Sequence, residues 1–65
     1  MSVPAKCAAN VTAGETLLID DHSHRVLEVK HNKKKGVAFI LTEQSGLGTQ
    51  RWYGFPEREV LEFIP

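Results

Sequence analysis

The sequence predicts an all-β fold, a small closed or half-closed barrel of five short strands. Apolar residues come in runs of about five to seven broken by turn chemistry, and no segment keeps a helical period over the roughly 11 to 18 residues that an amphipathic helix needs. The chain has 65 residues, 42% of them hydrophobic, so it is one small domain, residues 1–65, with a thin core. A sheet this small exposes fewer edges when its strands pair all the way round.

The first strand is Thr16-Leu17-Leu18-Ile19, entered through Gly14 and closed by Asp20-Asp21-His22-Ser23. Aspartate side chains bond nearby backbone and favour a tight turn, so a hairpin is expected there. The return strand, residues 24–31, alternates so that Leu27 and Val29 form the core face with Arg25, while Val26 faces the other way with Glu28 and Lys30. Asn32-Lys33-Lys34-Lys35-Gly36 interrupts the hydrophobicity and reads as an exposed loop tip. Residues 36–42 are nearly continuous in apolar side chains, which predicts a central strand covered on both faces with Phe39 in the core. Gly46 and Gly48 mark the next turn, residues 50–55 form an aromatic strand, and Pro56 stops it. Residues 56–59 have room for one tight helical turn before Val60-Leu61-Glu62-Phe63-Ile64 closes the chain as the last strand. Residues 1–12 are weakly patterned and are expected to lie as an arm across the barrel's base through Val3 and Val11.

Eight Lys plus Arg balance eight Asp plus Glu, so the formal net charge is zero and no global field draws the chain to nucleic acid or anionic membrane. Charge is nevertheless segregated. Across residues 22–35 the positives Arg25, Lys30, Lys33, Lys34 and Lys35 meet only Glu28, a local net of +4. Over residues 55–65 Arg58 meets Glu57, Glu59 and Glu62, a net of -2. The single cysteine, Cys7, can form neither an internal disulfide nor a zinc cluster, which suits a reducing compartment. No apolar run approaches the ~20 residues of a membrane span and the N-terminus lacks a signal peptide's apolar stretch, so a cytoplasmic protein with no membrane partner is expected.

Lysines on a flexible loop neutralise phosphates and release counterions. Arg25, Lys30, Lys33, Lys34, Lys35 and Arg51 are therefore the candidate nucleic-acid contacts. The same loop lysines equally serve to keep a tip solvated and an edge protected, and the sequence leaves both readings open. Trp52, Tyr53 and Phe55 offer either a stacking platform for bases or half-burial over the ends of a thin barrel. Adjacent strand residues point to opposite faces, so one of Trp52 and Tyr53 is expected at the surface. In a protein-binding reading these two are the anchors. Asp20-Asp21-His22-Ser23-His24 puts two imidazoles on one side of a strand, a spacing compatible with a divalent metal, yet a structural zinc site wants four supported ligands. A polar turn is the preferred reading, with no metal and no cofactor. Cys7 has no sequence-adjacent base, and Ser45-Gly46-Leu47-Gly48 does not lead into a helix, so neither a nucleophile nor a phosphate-cradling loop is supported. No enzyme is expected.

Residues 14–31, from Gly14-Glu15-Thr16-Leu17-Leu18-Ile19-Asp20-Asp21 through Arg25-Val26-Leu27-Glu28-Val29-Lys30-His31, resemble the opening of the N-terminal domain of elongation factor P and its hypusine-bearing counterpart. The resemblance runs over residues 14–62 and implies an SH3-like (KOW-like) barrel. In that family the following loop carries a modified lysine that reaches the ribosome, and Lys35 stands nearest that position here. The family's Pro-Gly-Lys-Gly loop is replaced by the lysine run, and its oligonucleotide-binding domains are not in this sequence, so an elongation factor is not the expectation. Gly14-Glu15-Thr16-Leu17-Leu18-Ile19 is also similar to the opening of the carbon storage regulator, without that protein's paired arginines. The whole chain looks like small orphan barrel proteins of bacteria and their phages. Composition, charge and resemblance together predict a non-enzymatic binding module that contacts RNA or a ribonucleoprotein through the basic loop. The alternative is a protein-protein interaction module using Trp52 and Tyr53.

Overall fold

Short apolar runs separated by residues that tolerate tight turns form strands here because each run can bury alternate side chains while its backbone pairs with a neighbour. A computed structural model describes residues 4–65. It comprises strands β1 (Ala5–Cys7), β2 (Thr16–Ile19), β3 (His22–Asn32), β4 (Val37–Gln44), β5 (Gln50–Pro56) and β6 (Val60–Ile64), with a single 3₁₀ turn at Ala8–Asn10. All six strands join one antiparallel sheet in the order β1-β6-β2-β3-β4-β5. Among the described residues no helix is long and apolar enough to cross a membrane.

Five of these strands are the predicted ones, and β1 is the addition. Its segment looked unpatterned because only three residues pair, Ala5 to Cys7 against Glu62 to Val60, too few to show an alternation. Val11 is buried as expected, whereas Val3 lies outside the described residues. The sheet is not closed, because no ladder joins the edge strands β1 and β5. The 3₁₀ turn lies across one end of the gap instead, with Ala8 N–H donating to the Glu59 carbonyl (2.8 Å) and Ala9 N–H to that of Glu57 (3.1 Å). Residues 56–59 form a non-helical turn, closed by Glu59 N–H on the Pro56 carbonyl at 2.9 Å.

One face of the sheet curls around a core of Ala8, Val11, Leu17, Val26, Ala38, Ile40 and Leu61, with Ile19, Val29, Phe55 and Phe63 packed at its margin. Burying a side chain such as Leu17 contributes about 1.5–3 kcal/mol, a large share of what a domain this small can hold. Lys6 secures the β1 edge. Its ammonium donates to Glu15 Oε2 (2.6 Å) and stands 4.6 Å from the centre of the Phe63 ring, while Glu15 Oε1 accepts from Thr12 N–H (2.7 Å) and Oγ1 (3.0 Å).

Two core assignments are corrected. The β3–β4 register shifts between Val26 and Glu28, so Leu27 is the extra residue of a bulge. Val26, paired with Thr42, and Val29, paired with Ile40, therefore point to the same inner face, and Leu27 with Arg25 does not define it. In β4 the buried residues are Ala38, Ile40 and Thr42, which leaves Phe39 38% exposed on the outer face. That strand is covered on one face only. Both of its faces are apolar, so composition could not say which one turns inward.

Candidate nucleic-acid interface

The outer face of β3, β4 and β5 follows from the register. Lys30, Phe39 and Gly54 lie in one cross-strand row, and Glu28, Leu41 and Trp52 lie in the next. Phe39 and Trp52 are therefore diagonal neighbours, about 7–8 Å apart by sheet geometry. Trp52 is 44% exposed, and the Lys30 ammonium sits 5.4 Å from its ring centre, 3.4 Å from Glu28 Oε2. Arg25 occupies the same face, paired with Glu43 of β4. The surface thus presents two open aromatic rings with cationic side chains beside them.

The basic loop continues from the same two strands. Asn32 and Val37 are the last pair, and residues 33–36 form the tip, with Lys33, Lys34 and Lys35 all exposed. Asn32 Oδ1 accepts the Lys35 N–H at 3.2 Å, and Gly36 turns the chain back at φ 64°. The Gly36 carbonyl accepts the Glu57 N–H at 2.9 Å, which ties the base of the tip to the β5–β6 turn. The short, anchored tip thus continues from the strands that carry Lys30 and Phe39, with its three lysines exposed.

Arg51 and Tyr53 are placed elsewhere. Both pair with inner-face positions of β4, Arg51 with Thr42 and Tyr53 with Ile40, so the structure separates them from Trp52. Tyr53 is half-buried, stacked on Phe55 (centroids 5.8 Å, 11° between planes) and edge-on to His24 (5.8 Å, 82°). His24 is buried, with Nδ1 3.2 Å from Thr42 Oγ1. Burial pushes its pKa below the ordinary 6.5, and the nearby His22 and Arg51 charges push the same way against Asp20. Asp20 and Asp21 are the exposed tip of the β2–β3 hairpin, at φ 52° and 65°. Among the described residues no group of three His, Cys, Asp or Glu side chains is arranged to hold a metal ion. Cys7 is a free, half-buried thiol.

Phe39 is the surface residue that sequence reasoning missed, and its signal was Gly54. A glycine within an aromatic strand marks a place where another side chain crosses the backbone, but the crossing residue is known only with the register. Neither the family models nor the curated proteins contain a match to this chain.

Proposed function

We propose that the chain is a non-enzymatic binding module of SH3-like barrel type that holds single-stranded RNA, free or within a ribonucleoprotein, on the outer face of β3, β4 and β5. The carrying observation is that two open rings, Trp52 and Phe39, share a face with Lys30 and Arg25 and adjoin the exposed Lys33–Lys35 tip. Bases stack on such rings with roughly 1–3 kcal/mol each, while lysines neutralise the phosphates between them. The curl of the sheet around one core, with a 3₁₀ turn across its open side, supports the barrel kinship, as does the resemblance to the elongation factor P domain. A free Cys7 agrees with a reducing, cytoplasmic setting.

The test is a titration of fluorescent single-stranded RNA at two salt concentrations. Replacing Lys33, Lys34 and Lys35 with Ala should leave stability within about 0.5 kcal/mol and flatten the log-affinity against log-salt slope by about two to three units. Trp52→Ala should weaken binding at both salts without changing that slope. Equal binding by parent and triple variant, or none at low salt, rejects RNA. A partner retained with a shallow salt slope and lost in Trp52→Ala identifies a protein-binding module instead.

A further inference from the structure

The two edges of the sheet are unlike. Strand β1 has three residues and carries Lys6, the short and charged form in which edges resist unwanted pairing. Strand β5 has seven residues, Gln50–Pro56, with Arg51 its one charge, Pro56 at its end and no bulge against β4. It is long, unbulged and aromatic on both faces.

The direction of its free backbone groups can be read from the ladder. Gln44 N–H donates to the Thr49 carbonyl (3.0 Å) and Glu57 N–H to that of Gly36 (2.9 Å), and both pairs fall in the β4–β5 register. Antiparallel strands alternate between hydrogen-bonded and open pairs. Arg51, Tyr53 and Phe55 therefore spend their N–H and C=O on β4, while Gln50, Trp52 and Gly54 turn theirs to the free edge. Pro56 adds a carbonyl there and lacks only the N–H. Among the described residues no turn or loop backbone group bonds to Gln50, Trp52 or Gly54.

We infer that β5 pairs antiparallel with β5 of a second copy of this chain, about a two-fold axis at Tyr53. In that register each Trp52 faces Gly54 of the second copy, exchanging both backbone bonds, and each Gln50 N–H meets the Pro56 carbonyl of the second copy. Each Trp52 ring then lies opposite a glycine of the second copy and beside the Phe39 ring that crosses it, an aromatic contact across the new ladder. On the inner face Tyr53 meets its own counterpart and Arg51 lies across from an aromatic ring, Phe55, so no like charges are opposed. The missing proline N–H falls at the end of the ladder, where it costs one bond per copy. Zero net charge leaves two copies without long-range repulsion. This pairing does not rest on the RNA reading, since it is argued from the free backbone edge of β5, although Trp52 stands on the face that both involve.

Sedimentation equilibrium of the full chain should give twice the mass of one 7.3 kDa protomer. A monomer at every concentration up to the solubility limit overturns the proposal. The register is tested in a Cys7→Ser background. Tyr53→Cys should oxidise to a covalent dimer, because an open antiparallel pair brings Cα atoms to about 4.5 Å, within disulfide reach. Arg51→Cys should not, its counterpart being about 13 Å away along the strand. Should Tyr53→Cys fail to fold by circular dichroism, Gln50→Cys and Pro56→Cys proteins, both altered at exposed positions, should cross-link when mixed and not separately. A dimer without these cross-links uses another surface and equally overturns the assignment.

Discussion

The ring of Phe39 lies against the backbone of Gly54, so close that a Cβ at residue 54 would meet Phe39 Cε1 at 3.2 Å and Cδ1 at 3.4 Å. The ring is packed on one side by a neighbouring strand and open to solvent on the other. Phe39→Ala should therefore cost about 1–2 kcal/mol, part of the value of a fully buried ring. Leu17→Ala, in the core, should cost about 2–5 kcal/mol. Urea unfolding with an unchanged m-value measures both.

The same contact gives a coupling. Gly54→Ala should destabilise the parent, because the ring must give way by a few tenths of an ångström, and should be close to neutral in the Phe39→Ala background. A double-mutant cycle with no interaction energy would show that the ring does not depend on residue 54.

His24 is buried beside Thr42 and Tyr53, and its folded pKa lies below the ordinary 6.5. The unfolded chain therefore binds the proton first. Stability from neutral His24 is complete above about 6.5 and falls as pH drops from there to the lowered folded value. Urea midpoints at pH 7.5 and 5.5 should differ in the parent and differ less in His24→Gln. Thr42→Val, which strips the ring of its partner, should cost about 1–3 kcal/mol.

Glu15 responds in a lower window. Its hydrogen bond from Lys6 holds its carboxyl below the ordinary 4.5, aided by the two bonds from Thr12 and opposed by partial burial. Its contribution is present above that value and is lost as pH falls through the lowered one. Glu15→Gln should flatten this acid limb and loosen β1, read as faster amide exchange at Lys6 and Ala8, whose N–H groups face β6.

The β2–β3 hairpin turns on two residues of positive φ, Asp20 and Asp21, closed by the Ile19–His22 pair. That is the geometry for which Asn-Gly is preferred. Replacing Asp20-Asp21 by Asn-Gly should raise stability by about 1 kcal/mol, since the left-handed region costs an ordinary residue roughly 1–2 kcal/mol. An unchanged urea midpoint would show that the aspartates carry no strain.

The positions of five strands, both hairpin tips and the exposed lysine loop were legible in the sequence, because turn residues and runs of apolar side chains act locally, through φ preferences and burial within one segment. Which face each strand buries was not. Alternation in β3 is broken by a bulge at Leu27, and in β4 both faces are apolar, so Val26 and Phe39 exchanged their expected places only when cross-strand register fixed the inside. The separation of Trp52 from Tyr53 was foreseeable from the two-residue period of a strand. Their fates, one ring open beside Lys30 and the other packed on Phe55 and His24, were decided by the neighbours that register supplies. The open sheet and the role of β1 are likewise long-range results. Pairing between residues 5–7 and 60–62 depends on contacts across almost the whole chain, and no local pattern encodes it.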